Sequence, residues 1–342
     1  MRRYRSLLRP LAGVVILGIL LRQLGAGPFV DALLGIDARS LAAATLLAAL
    51  TTVCGAWRWV LVARGLGGEL SLRSAVAECY RSQFLNVTLP GGVMGDVNRG
   101  VRHGRDGGDL GRGLRSVVWE RSAGQVVLVA LTLGALLLLP SPLHPTSPGA
   151  EPSAAAGTSV SSSVVVALVG VTVVVLVVVL VAVVVGRAER GCDRSLAGRA
   201  VRTAVADVRA GVLGRHTWPG VVASSAVVVA GHVGTFVVAA RSAGVTAPLL
   251  GLAPLALVVL VAMGLPLNVA GWGPREGAAA WAFGTAGLGA SAGVGTAVVY
   301  GVLVLVASLP GAVLLVVAGR AGPARADALN AHTLVVEGSA RG

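Results

Sequence analysis

The sequence predicts an all-α polytopic membrane protein of about six full spans plus two re-entrant or broken helical hairpins, arranged as an inverted repeat. Three observations predict it. The 342 residues are 55% hydrophobic and only 13% charged, where a soluble domain carries about 25% charged residues; the mean hydropathy is +0.82. The apolar residues fall in runs near the roughly 20 residues that a helix needs to cross a bilayer. All 28 basic residues are arginine, and they cluster in short polar segments between those runs. The net charge of +13 therefore reads as anchoring beside an anionic leaflet. It is not the footprint of a nucleic-acid partner.

The full-length runs, in order, are Leu7–Leu24, Leu41–Ala63, Ser116–Leu139, Ser163–Gly186, Trp218–Ala240 and Ala292–Ala318. The first follows Met-Arg-Arg-Tyr-Arg but lacks an Ala-x-Ala cleavage site, so it reads as a retained span rather than a signal peptide. The fourth is a valine-rich run too long for a strand, whose open edge lipid could not satisfy. Arginine bias sets the orientation. Arg2, Arg3, Arg5 and Arg9 place the N-terminus in the cytoplasm, and the segments Arg64–Arg121 and Arg187–Arg215 lie on the same side. Pro140–Ser162 has no arginine and reads as external, and Arg320 and Arg325 return the C-terminus to the cytoplasm. The location expected is a bacterial-type cytoplasmic (inner) membrane. Trp57 and Trp59, flanking Arg58, read as an interfacial belt.

Two apolar pieces remain, Ser74–Val97, and Leu249–Leu265 with its continuation Gly277–Gly289. Each must enter and leave on one side, the first from the cytoplasm and the second from outside. The membrane domain, 1–320, then divides into halves of opposite orientation, 1–140 and 163–320, joined by an external linker, 141–162. A polar tail expected to be disordered follows at 321–342. Gly/Pro-interrupted segments at matching positions of inverted halves point to a transport site near the midplane.

Both pieces are broken by polar residues that lipid would penalise. The first break is Asn86-Val-Thr-Leu-Pro-Gly-Gly-Val-Met-Gly-Asp-Val-Asn-Arg99, and the second is Pro266-Leu-Asn-Val-Ala-Gly-Trp-Gly-Pro-Arg-Glu-Gly277. Pro90, Gly91, Gly92 and Gly95 in one, and Gly271 and Gly273 in the other, end a helix and free backbone groups. The restarting helix offers an N-terminus suited to an anion. Arg99 and Arg275 stand beside these restarts with the fork geometry that suits phosphate. Asn86, Asn98 and Asn268 add neutral donors and acceptors. The implied ligand is an anionic lipid headgroup, with Asp96 and Glu276 as exchangeable counter-ions. In a purely structural reading, cross-pairs Arg275–Asp96 and Arg99–Glu276 clasp the hairpins together, because adjacent helical residues do not face one another.

Other signals carry less chemistry. Gly289-Ala-Ser-Ala-Gly293 matches a nucleophile pattern but opens an apolar helix, and reads as a packing face. His232 stands alone in its run and reads as an interhelical donor, since no second ligand lies at metal spacing. Arg105–Gly113 lacks the lysine and Ser/Thr of a P-loop and reads as a flexible basic loop. Cys54, Cys79 and Cys192 form neither a disulfide framework nor a metal pair. No cofactor, metal site or enzymatic activity is expected.

The segment Phe84–Arg99, with its Asn, Pro-Gly turn and Gly-Asp followed by Arg, resembles the lysylphosphatidylglycerol synthase transmembrane-region, or flippase-like, family. So does Pro266–Gly277, with its Pro, Gly-x-Gly and Arg-Glu-Gly, and the Arg58-Trp59 pair fits as well. The resemblance covers roughly residues 7 to 320 and includes the lipid-flipping half of the bacterial multiple-peptide-resistance factor. It implies lipid translocation between leaflets, with charged residues of both hairpins lining the path. The chain ends about twenty residues after its last span, so the synthase chemistry of the larger proteins is not expected. The alternative is a non-transporting membrane partner of a lipid-modifying or glycosyl-transferring enzyme, docking through its arginine-rich loops.

Overall fold

The computed structural model describes residues 34–89, 92–138, 196–264 and 273–339, with backbone alone at 196–201 and 318–339. The expected spans Leu7–Leu24 and Ser163–Gly186, the linker 141–162, and Pro90, Gly91, Asn268 and Gly271 lie outside the described residues. All regular structure within them is helical. The helices are α1 (Ala38–Gly65), α2 (Leu72–Thr88), α3 (Met94–Asp106), α4 (Leu110–Leu138), α5 (Leu196–Asp207), α6 (Trp218–Ser242), α7 (Leu249–Met263), α8 (Pro274–Thr285) and α9 (Ala290–Ser339); a π-helical turn, Val208–Val212, continues α5. By length and composition α1, α4, α6 and the Ala290–Val317 part of α9 can cross a membrane. Each begins or ends within a few residues of an apolar run read from the sequence.

Capping explains several starts. Asp37 accepts from the Ser40 N–H at 2.8 Å ahead of α1, and Ser71 accepts from the Ser74 N–H at 3.2 Å ahead of α2. Such caps satisfy donors that the first helical turn leaves orphaned. Pro219 sits in the first turn of α6, where its missing N–H costs nothing.

Small residues bring the helices together. A Cβ on Gly231 of α6 would stand 2.3 Å from Thr51 of α1, and one on Gly293 of α9 would stand 2.3 Å from the Ala279 carbonyl of α8. The Gly289–Gly293 stretch thus supplies a packing contact at Gly293, as its sequence reads. Phe236 of α6 meets Phe283 of α8 and Tyr300 of α9 at ring separations of 6.1 and 5.9 Å. Around them the main core fills with aliphatic side chains from α6 to α9.

The pairing of helices has a regularity. α1 packs on α2, α2 on α3, α3 on α4 and α1 on α4; in the same way α6 packs on α7, α7 on α8, α8 on α9 and α6 on α9. Between the sets, α1 meets α6, α2 and α1 meet α9, and α7 and α6 meet α4. Exchanging the two sets of four maps the α1–α6 contact onto itself and each of the others onto another.

Two sequence readings are corrected here. Arg105–Gly113 is not a flexible loop: only residues 107–109 separate α3 from α4. The turn is this tight because Gly113 lets the helices touch, where a Cβ would stand 2.4 Å from Gly104 N, and because Asp109 caps the Arg112 N–H at 2.8 Å. Trp59 is no interfacial anchor; it is fully buried and its indole N–H donates to Ser116 Oγ at 3.0 Å. The backbone of α9 is helical to Ser339.

Candidate functional site

The break between α2 and α3 is closed by its own polar residues. Asn86, near the end of α2, accepts from the Gly95 N–H at 2.8 Å and donates to Asp96 Oδ2 at 3.0 Å. Ser82, one turn earlier, donates to Asp96 Oδ1 at 3.0 Å. Gly95 permits this approach, since a Cβ there would stand 2.1 Å from the Ser82 carbonyl oxygen. Gly92 takes a left-handed φ of 62° just before the restart.

Asp96 in turn belongs to a buried charge network. Arg99 donates from Nε to Asp96 Oδ1 at 3.0 Å and from Nη2 to Glu120 Oε2 at 2.6 Å. Arg58 of α1 donates to Glu120 Oε1 from Nε at 2.8 Å and Nη2 at 2.5 Å, and to Ser225 of α6 at 3.0 Å. Arg121 of α4 pairs with Asp96 Oδ2. Glu120 is 2% exposed and Arg99 4%, so these charges are kept only because each is paired and hydrogen-bonded. The Arg99 guanidinium also lies 4.8 Å above the Trp59 ring, a cation–π contact that strengthens when desolvated. Arg121 differs from the other two arginines, with its side chain 47% exposed.

The second break is organised by Glu276. Fully buried, it accepts from the Gly273 N–H at 2.6 Å and from Arg275 Nε at 2.9 Å and Nη2 at 2.6 Å. Gly273 has φ of 113°, a conformation that favours glycine. The expected cross-pairs Arg275–Asp96 and Arg99–Glu276 are therefore not the ones formed. Asp96 is held by Arg99 and Arg121, and Glu276 by its neighbour Arg275. At the first turn of α8 the Glu276 side chain folds back to cap Gly273, which puts its carboxylate beside the guanidinium. The rule that adjacent helical residues do not meet fails at such a capped end.

The two breaks nevertheless share one space. A cavity of about 550 Å³ is lined by Asn86, Gly92, Asp96 and Arg99 from the first and by Arg275 from the second. A second cavity of about 610 Å³ adjoins it, with Arg58, Asp96, Arg121 and His232 common to both walls. Glycines make room for the guanidinium groups: a Cβ on Gly124 would stand 2.8 Å from Arg58 Nη1, and one on Gly301 2.3 Å from Arg275 Nη2. Gly95, Gly273 and Glu276 serve by packing and capping.

Sequence reasoning missed Arg58, Glu120 and Arg121 as site residues. The signal was present in the adjacent charges Glu120-Arg121 inside the run assigned as a span from Ser116. They read there as the end of an arginine-dense loop, but α4 begins at Leu110 and carries them inward. At the rim of the network His103 meets the Trp59 ring edge-on at 5.5 Å. Burial holds its imidazole below the ordinary histidine value, Asp106 opposing and Arg112 assisting. Among the described residues no three His, Cys, Asp or Glu side chains group as metal ligands.

A family model described as "Lysylphosphatidylglycerol synthase TM region" matches residues 6–311, a span that includes both broken segments and every charged residue of the network. Neither a curated protein nor a solved structure matches the chain.

Proposed function

Because the chain belongs to the lysylphosphatidylglycerol synthase transmembrane-region family, a family of membrane proteins whose name ties it to lipids, we propose that it moves an anionic lipid between the two leaflets. The observation that carries this reading is a charged cavity among membrane-crossing helices, with arginines of both broken segments on its wall. Charges placed there are expensive unless something uses them. Arg121 is the group suited to exchange partners. It is half exposed and holds Asp96 at the wall shared by the two cavities. A phosphate entering there takes over the Arg121 guanidinium through paired N–H bonds, and Asp96 keeps Arg99, Ser82 and Asn86. Arg275 completes the site from the other break. The partners implied are membrane lipids, and the chemistry is binding and movement, not catalysis.

The exchange of helix contacts between α1–α4 and α6–α9 supports the inverted repeat, with the two breaks as hairpins entering from opposite faces and both termini in the cytoplasm. Alternating access then needs only a rocking of one set against the other about the shared cavity.

The test is reconstitution of the purified protein in liposomes with a headgroup-labelled phospholipid or polyprenyl phosphate. Label accessibility should equilibrate faster than in protein-free vesicles, and Arg121→Ala and Arg275→Ala should abolish the gain while the protein still folds. Equal rates with and without protein would overturn the reading.

A further inference from the structure

A polar side chain common to both cavity walls takes no part in the charge network. His232, midway along α6, lines both cavities. Its Nδ1 lies 3.0 Å from the hydroxyl of Tyr300 on α9. Tyr300 is 1% exposed, and among the described residues this is the hydroxyl's one hydrogen bond. If Nδ1 carried the proton, the tyrosine O–H would have no acceptor among the described residues. The tautomer assigned by this network has Tyr300 donating to Nδ1, which leaves the proton on Nε2. Nε2–H has no protein acceptor among the described residues, nor is it sealed away from the cavity. It is a fixed N–H donor on a wall that it shares with Arg58 and Arg121.

The charge of that wall is also set. Arg58, Arg99, Arg121 and Arg275 line it with Asp96 and Glu120, and Glu276 stands behind Arg275, so among the described residues four guanidinium groups meet three carboxylates. The undescribed stretches at the two breaks, 90–91 and 265–272, contain no charged residue. Among the described residues one positive charge is in excess. It is balanced by a ligand with one negative charge and opposed by a ligand bearing an amine, since like charges in a poorly solvated site repel.

We propose that His232, positioned by Tyr300, donates its Nε2–H to a headgroup oxygen, and that the cavity takes a singly charged phosphodiester without an amine. The lysylated lipid of the family's name is, on this ground, a poor ligand for this chain. The inference rests on the lipid reading above and names its headgroup class.

Binding of short-chain lipids to the detergent-solubilised full chain, followed by calorimetry, tests it apart from transport. Dioctanoyl phosphatidylglycerol should bind, and its lysyl ester and dioctanoyl phosphatidylcholine should bind at least about tenfold more weakly. His232→Leu should weaken phosphatidylglycerol binding about tenfold or more, the scale of one hydrogen bond to a charged group. His232→Gln, which keeps an N–H donor, should recover most of it, and Tyr300→Phe should fall between. Wild-type affinity in His232→Leu, equal affinity for the lysyl ester, or no binding of phosphatidylglycerol overturns the proposal. In liposomes the two readings part. Movement of all three lipids alike sinks the selectivity but leaves transport, whereas selective, His232-dependent binding without any movement sinks transport and leaves the site.

Discussion

At the scale of the residue, the network separates charges that hold the fold from charges free to act. Glu120 bridges Arg58 and Arg99, so it joins α1, α3 and α4 through one carboxylate. Glu120→Ala should strip two buried guanidinium groups of a partner and cost about 3–5 kcal/mol, the range for breaking a buried pair from one side. Thermal unfolding in detergent measures this. Arg121→Ala removes a half-exposed group and should shift the midpoint by far less while abolishing lipid movement, so the two variants dissociate folding from function. His103 supplies a pH dependence. Its folded-state value lies below its unfolded one, so the unfolded chain binds more protons. Stability should therefore fall as pH drops through about 6.5, the unfolded histidine value. His103→Phe should flatten that part of the profile.

At the scale of the element, helix approach through glycine is what lets a broken segment close on itself. Gly95 sits against the backbone of Ser82, which cannot yield as a side-chain tip would. Gly95→Ala should push α3 off α2 and cost about 1–3 kcal/mol, as overpacking does, and it should loosen the Asn86–Asp96 bond as well. Limited proteolysis between α2 and α3, faster in the variant, reads this out. The same logic explains what the sequence showed and hid. Glycine and proline marked both breaks because backbone rules are local. The identity of the partners across the breaks was hidden because an ion pair between Arg58 and Glu120 spans 62 residues.

At the scale of the whole molecule, the two sets of four helices repeat one contact pattern, and the orientation of the sets is open to a direct experiment. With Cys54, Cys79 and Cys192 replaced, a cysteine at Glu69, between α1 and α2, should react only from the cytoplasmic face. One at Thr246, between α6 and α7, should react only from the outer face. An impermeant maleimide on intact and opened vesicles distinguishes the two, and labelling from a single face would rule out inverted halves. The sequence alone determined the helical class, the four helices apolar enough to cross a membrane among the described residues and the position of both breaks, because hydropathy and Gly/Pro chemistry act over neighbouring residues. It also pointed to the family, through a resemblance that the match over 6–311 bears out. Only the tertiary structure decided who pairs with whom. Glu120, Arg58 and Arg121 enter the network, and His232 finds Tyr300, because distant helices pack with their buried groups in register. A buried charge must be satisfied by whatever the fold brings within about 3 Å, and no spacing along the chain states that.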